Sequence, residues 1–394
     1  MSKDGMSGKG PEADLDLGFA TRAILGGSGR EFQQTTSRAS VQLCGRHVSS
    51  RVADDMTTMG PQEALAANLA GLESAEAGLV LGSGLMAFTA LVRATSSPGD
   101  RVLVQKSACT ATTALLQATL QSLDVEMAVV DVTAPSDLED ATTERTHLVY
   151  FETPSNPLNN IVDISDVAVR AHALGLIVAV DSTFASPVLQ RPIEHGGDVV
   201  LHSLTKYING HGDTMGGALL GSHELIARVR AVTMRGDPDR TPLSLDATGL
   251  ILRGLKTLAL RMDRHSSSAH GIALTLEAHP AVKWVRYPFL SSHPESRTAT
   301  RQMSAGSGMV AFGLHAGDDT ARAVQRLRLF RPATTFGEVG SLICTSADLA
   351  SVQQISLEGT DLCSTLGRDV IRLSVGLEDA EDLIEDLWQA LSEL

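Results

Sequence analysis

The sequence predicts an α/β fold in two parts, a large domain on a mostly parallel sheet followed by a small C-terminal α+β domain. Three observations carry that expectation. Continuous apolar runs alternate with helix-like stretches from about residue 60 to 255, as strands buried on both faces do. A strand, a Gly82-Ser83-Gly84 turn and a helix follow one another early in that region. Past residue 255 the texture changes to long helical patterns with a Pro- and Ser-rich connection between them. At 394 residues, 43% of them hydrophobic, the chain can bury a core of that size.

Residues 1–60 read as an N-terminal tail and arm, polar and Gly-rich over the first fifteen or so, 61–255 as the large domain and 256–394 as the small one. After Gly60-Pro61, Leu65, Leu69 and Leu72 recur at three- and four-residue spacing, which predicts a helix leading into the strand AGLVL. Beyond the glycine turn, LMAFTALVRAT predicts a second helix, ended by Ser96-Ser97-Pro98-Gly99-Asp100. Strands are expected at RVLV (101–104), MAVV (127–130), THLVYF (146–151), GLIVAV (175–180), DVVLH (198–202) and GGALLG (216–221), with helices such as ISDVAVRAHALG between them. In the small part, GLKTLALRMDRHSSSAHGIALTLEAHP reads as a long helix, GMVAFGL as a strand and EDAEDLIEDLWQALSEL as the last helix. No fixed-period repeat is present, which excludes solenoids and propellers.

The net charge of −14 disfavours a nucleic-acid surface, which needs clustered cations, and points to small molecules or proteins as partners. No apolar run approaches the ~20 residues that span a bilayer, and the N-terminus lacks a signal peptide's apolar core; the chain reads as soluble and cytoplasmic. Cys44, Cys109, Cys344 and Cys363 are widely spaced, so neither a disulfide framework nor a metal site is expected.

Chemistry concentrates in residues 151–217. Asp181 directly follows an apolar strand, at the carboxyl end where α/β sheets place ligands. Lys206 follows the next strand within His202-Ser203-Leu204-Thr205-Lys206, a lysine flanked by hydroxyls. Such a lysine suits a Schiff base, the carboxylate suits a pyridine nitrogen and the hydroxyls suit a phosphate, which together suggest pyridoxal 5′-phosphate. Taken singly, Asp181 also reads as a cap or turn residue, Lys206 as a solvated lysine, and Ser203 and Thr205 as strand-end hydroxyls.

The string as a whole resembles the Cys/Met-metabolism family of pyridoxal-phosphate enzymes, which includes cystathionine γ-synthase, cystathionine γ-lyase and methionine γ-lyase. The matching segments run in order from GFATRAILGG (18–27) through LESAEAGLVLGSGLMA (72–87), PGDRVLV (98–104), the central segment and GLKTLALRMDRHS (254–266) to IRLSVGLEDAEDLIEDLWQAL (371–391). The resemblance implies a fold-type I pyridoxal-phosphate-dependent transferase that assembles as a homotetramer, a dimer of dimers. It makes Lys206 the Schiff-base lysine and proton shuttle, Asp181 the partner of the pyridine nitrogen and Asn156 of ETPSNP the contact to the ring hydroxyl. Ser203 and Thr205 would bind phosphate together with the amides of Gly84 and Leu85, an assignment that the anion preference of helix N-termini favours independently. Ser341 and Arg372 look like the site for the substrate carboxylate, which Arg can grip at both oxygens. Glu338 stands where the family commonly has a small residue; it reads as a solvated loop carboxylate or as a partner for a basic substrate group.

Two departures bear on function. The family's ring-stacking tyrosine, in a segment like D-x-x-Y-G-G-T, aligns with Cys109 of KSACTAT, and the chain's only tyrosines, Tyr150, Tyr207 and Tyr287, lie far downstream. The family's Y-S-R-x-x-N-P-T motif, whose tyrosine crosses a dimer interface to phosphate, corresponds to HVSSRVADDMTTMGP; here Arg51 keeps the phosphate role, the preferred reading, or Met56 takes its place. In the family the stacking tyrosine also protonates the γ leaving group, a general-acid step of ~10²–10⁴ in rate. Cysteine cannot stack and is only a weak acid, so the sequence points to a divergent member acting on a γ-substituted amino acid whose leaving group departs unprotonated, as a halide or sulfonium does. An ordinary cystathionine- or methionine-type enzyme, and an aminotransferase or β-lyase on the same fold, remain open. A non-catalytic scaffold would not need Lys206, Asp181 and Asn156 together.

Overall fold

The computed structural model describes residues 60–106, 110–234, 242–315, 320–351 and 370–392. The expectations for the tail and arm, Arg51, Met56 and Cys109 lie outside the described residues.

Helix α1 (Pro61–Glu73) opens with the Glu63 carboxylate accepting from the Gly60 amide at 3.0 Å, and it buries Leu65, Leu69 and Leu72 completely. It leads into β1 (Ala77–Leu81). Helix α2 (Gly84–Thr95) then begins at Ser83, whose hydroxyl accepts from the Met86 amide at 3.2 Å. Six strands follow in the places that the apolar runs indicate: β2 (Arg101–Gln105), β3 (Glu126–Val130), β4 (Thr146–Glu152), β5 (Ile177–Asp181), β6 (Val199–Ser203) and β7 (Gly217–Gly221).

These seven strands form one sheet in the order β1-β7-β6-β5-β4-β2-β3. From β6 to β3 every pairing is parallel, whereas β7 runs antiparallel to both β6 and β1. The reversal has a local cause: a parallel return needs a crossover, usually helical, and residues 204–216 carry turns and no helix. On one face, Leu65, Leu69 and Leu72 of α1 pack with Val200, Ala218 and Leu220; on the other, Phe88 and Leu91 of α2 pack with Tyr150, Ala179 and Leu201. The chain leaves β2 toward β3 in one direction and toward β4 in the other, so the order reverses there, and ligands bind outside the carboxyl ends of strands at such a point.

A second sheet, of order β10-β11-β12-β9-β8, is built from β8 (Val282–Arg286), β9 (Met309–Leu314), β10 (Arg331–Pro332), β11 (Leu342–Thr345) and β12 (Val370–Ser374). Only the β10–β11 pair is parallel. Of these strands the sequence singles out β9; the others span two to five residues, too short for periodicity to separate strand from helix. The helices Leu258–Glu277 and Ala380–Ser392 cover the sheet through Ile272, Leu276, Leu383 and Leu387. Both tryptophans sit in this part, Trp284 on β8 against Gly313 and Trp388 edge-on to His279 with ring centroids 4.6 Å apart. Arg261 on the long helix ties this part to the segment after β6, donating to the carbonyls of Tyr207, Ile208 and Gly254 at 2.6, 3.2 and 2.8 Å. Among the described residues no helix is long and apolar enough to cross a membrane.

One buried contact has no signature in the sequence. The carboxylate of Glu73, at the end of α1, meets His202 Nε2 of β6 at 2.5 Å, and both side chains are 0% exposed. Burial pushes the Glu73 pKa up, with His202 opposing it. Removing one partner leaves the other buried and unpaired, so Glu73→Ala is expected to cost about 3–5 kcal/mol in chemical denaturation.

His265 yields an acid-side expectation. It is fully buried, with Nδ1 2.7 Å from the Val375 carbonyl, and burial holds its pKa down at about 4. The unfolded chain takes up this proton from about pH 6.5, the folded chain only near 4, so the contribution is complete above 6.5 and is lost as the pH falls toward 4. A series of melting temperatures across that window should show the loss, at most about 3 kcal/mol from this group, and His265→Asn should flatten the slope.

Candidate functional site

At the carboxyl ends of β4 and β5, Glu152 and Asp181 stand level, β6 runs on two residues past Asp181's partner Leu201 to Ser203, and the loops beyond carry Asn156 and Lys206. Lys206 sits in the turn after β6, where its amide donates to the Ser203 carbonyl at 3.2 Å. Its ammonium donates to the Thr335 hydroxyl at 2.7 Å and lies 4.5 Å from the centre of the Phe336 ring.

Arg372 arrives from β12 of the second sheet and is 1% exposed. Its guanidinium donates to Asn156 Oδ1 at 3.0 Å and to the carbonyls of Thr334 and Thr335 at 2.8 and 3.0 Å, and its carbon lies 5.5 Å from the Phe336 ring centre. Asn156, Thr335, Lys206 and Arg372 are thus drawn from both sheets onto one spot. Gly337, with φ of 80°, makes the approach feasible, because a Cβ there would stand 2.8 Å from the Tyr207 amide nitrogen.

Asp181 ends β5 with its carboxylate held at both oxygens. Oδ1 accepts from the Thr183 amide at 2.9 Å and Oδ2 from the Tyr150 hydroxyl at 3.0 Å. Burial raises its pKa, while Thr183, His202 and Tyr150 counteract the shift. A carboxylate in that state is receptive to a protonated nitrogen.

At the other side of the site, α2 points its N-terminus at β6. A Cβ on Gly84 would lie 3.4 Å from the Ser203 Cβ, so the first-turn amides of Gly84 and Leu85, which helix geometry leaves without intrahelical partners, open beside a serine hydroxyl. Gly217 permits that packing, since a Cβ there would stand 2.1 Å from the Ser83 carbonyl oxygen. Thr205 is close by but engaged: its hydroxyl accepts from the Gly216 amide at 3.1 Å.

Two expected substrate residues are placed differently. Ser341 is fully buried with its hydroxyl spent, donating to Glu378 Oε2 at 2.8 Å and accepting from the Gly376 amide at 2.8 Å. The hydroxyl beside Lys206 belongs to Thr335, a residue that the sequence reading passed over. Glu338 is half-buried, packed on Gly212 with an oxygen 4.0 Å from Arg331, so it is neither fully solvated nor free of a cation. Phe336 and Tyr150 were also passed over; each takes its place only through the fold.

An amine, a buried carboxylate and an anion-accepting helix terminus with a serine hydroxyl are the three groups that pyridoxal phosphate needs, and all three are present, so the residues fit that cofactor. The comparisons agree. The family model for Cys/Met metabolism PLP-dependent enzymes matches residues 13–392. An L-methionine γ-lyase of Pseudomonas putida is 38% identical over 346 residues, 88% of this chain and 85% of the relative. A cystathionine γ-synthase of Mycobacterium bovis is 40% identical over 329 residues, 83% of each chain. Among solved structures, metB of Corynebacterium glutamicum superposes with a TM-score of 0.85 at 31% identity, over 96% of this chain and 98% of that one. A cystathionine γ-lyase of Micromonospora echinospora follows with a TM-score of 0.81 at 34% identity, over 95% and 99%. The chain is therefore a pyridoxal-phosphate-dependent enzyme acting on amino-acid side chains, and it belongs to the Cys/Met metabolism family.

Proposed function

We propose that this enzyme catalyses γ-elimination or γ-replacement on a γ-substituted L-amino acid whose leaving group departs without protonation, a halide or a sulfonium for example. The observation that carries the leaving-group reading concerns the three tyrosines. All are at most 1% exposed: Tyr150 donates to Asp181, Tyr287 to the Ser266 and Ser307 carbonyls, and Tyr207 lies buried edge-on to His265, its pKa pushed up to about 12 by burial. No tyrosine of this chain stands ready as a general acid.

When bound, pyridoxal 5′-phosphate supplies the electron sink that stabilises negative charge beside the amino-bearing carbon. In this reading Ser203, Thr205 and the amides of Gly84 and Leu85 hold its phosphate, Asn156 contacts its ring hydroxyl, and Asp181 keeps the proton on the pyridine nitrogen. Arg372 grips the substrate carboxylate, its guanidinium aimed by the Thr334 and Thr335 carbonyls. Thr335 orients the Lys206 amine, and Ser341 joins Arg372 at the substrate carboxylate as the resemblance implies. Lys206 removes the Cα proton and then carries protons to and from Cβ as the γ substituent leaves. Cys109 stands in the general-acid position of the resemblance, and Arg51 reaches phosphate, from the neighbouring subunit in the homotetramer that the resemblance implies; we place this assembly in the cytoplasm.

A second reading, an ordinary methionine- or cystathionine-type enzyme, is favoured by the 38–40% identity to relatives with those names. Leaving-group preference separates the two. With L-vinylglycine, which enters after the leaving-group step, the purified holoenzyme should change its visible absorption and release a keto acid, and Lys206→Ala should do neither. Failure of the unmodified enzyme to convert vinylglycine would overturn γ-chemistry in favour of an aminotransferase or β-lyase. Wild-type enzyme should turn over cystathionine poorly and Cys109→Tyr should gain, toward the ~10²–10⁴ of a restored general acid. Strong wild-type cystathionine turnover would establish the ordinary enzyme instead.

A further inference from the structure

We propose that Tyr150 is a positioning residue of the cofactor site, its hydroxyl fixing the orientation of the Asp181 carboxylate and thereby setting how tightly the pyridine nitrogen is held. The inference rests on the reading of Asp181 as the partner of that nitrogen.

Strand register carries the geometry. Tyr150 of β4 pairs with Ala179 of β5, and Asp181 lies two residues beyond Ala179, so Tyr150 and Asp181 share one face of the sheet. The long phenol reaches diagonally to the end of the neighbouring strand, where its hydroxyl donates to Oδ2 at 3.0 Å. The ring is 1% exposed and set edge-on against Phe88, with centroids 5.0 Å apart, among Val102, Leu148 and Ala179. Phenylalanine would fill that apolar setting equally well and bring no hydroxyl to satisfy, so packing does not account for tyrosine here. The carboxylate does. Thr183 holds the opposite oxygen, and its own hydroxyl accepts from the Ser203 amide at 2.9 Å. A rotation of Asp181 would therefore be felt at the strand end that carries the phosphate ligand. His202 lies on the neighbouring strand with its ring turned to Glu73 on the other face of the sheet, so it does not hold the carboxylate's orientation. Tyr150 supplies the one contact among these that restrains Oδ2.

The test is a double-mutant cycle on cofactor binding. Wild type, Tyr150→Phe, Asp181→Asn and the double variant are stripped of cofactor and titrated with pyridoxal 5′-phosphate, and melting temperatures of the apoproteins are recorded alongside. A hydrogen bond to a charged group predicts a Kd raised roughly tenfold or more in Tyr150→Phe. Asp181→Asn should weaken binding further, and the double variant should bind no more weakly than Asp181→Asn alone, because Tyr150 acts through the carboxylate. At saturating cofactor, Tyr150→Phe should lower kcat for L-vinylglycine with KM little changed. An unchanged Kd with a lowered melting temperature would overturn the proposal and make Tyr150 purely structural. So would a Tyr150→Phe effect of full size in the Asp181→Asn background. If Asp181→Asn alone leaves Kd unchanged, the assignment of Asp181 fails and this inference falls with it, a result distinct from the other two.

Discussion

Burial at the end of β5 makes the Asp181 carboxylate costly to ionise, and the surrounding residues are arranged to offset that cost. Thr183 and Tyr150 donate to its two oxygens, and His202 on the adjacent strand opposes the upward shift. Each donor is held in turn: Thr183 by the Ser203 amide, His202 by Glu73, Tyr150 by the apolar layer under α2. In the proposed reading, the arginine and the lysine would have little to work on without a fixed acceptor for the cofactor's nitrogen. The parallel register of β4, β5 and β6 is the feature that gathers these groups at one end of the sheet.

The opposite wall is built by different means. Arg372 lies on the interior strand β12 of the second sheet, in register with Cys344 and Ala311 and 1% exposed. A guanidinium so placed persists through hydrogen bonds to Asn156 and the Thr334 and Thr335 carbonyls, which also fix where it points. The loop supplying those carbonyls is the one that presents Thr335 to Lys206. Arg372 and Lys206, the groups proposed for substrate grip and proton transfer, are therefore mechanically joined through a few residues near Gly337.

What the sequence revealed, and what it did not, follows the range of the forces involved. Strands β2, β4, β5 and β6 are continuous apolar runs because both faces are covered, and such runs are visible in a window of a few residues. The direction of β7 is not, since GGALLG reads alike either way and only the helix-free link from Ser203 to Gly217 decides it. Asp181 and Lys206 stand out because each directly follows a legible strand. Thr335 and Tyr150 do not, because their partners lie far along the chain and nothing local marks them. The partners of Ser341 are hidden for a related reason: its hydroxyl donates to Glu378 and accepts from the Gly376 amide, both more than thirty residues away.

The placement of the two tryptophans gives the molecule an uneven optical signature. Trp284 on β8 and Trp388 on the last helix both belong to the second sheet and its cover, and the seven-stranded sheet has none. Intrinsic indole emission therefore reports on the C-terminal part, while the cofactor's own visible absorbance arises at the ends of β5 and β6. The two wavelengths view separate layers of one chain. Following both during unfolding would reveal whether the layers separate in sequence or together, and Arg261, bonded to the carbonyls of Tyr207 and Ile208 beside Lys206, is the strap whose release such an experiment would register.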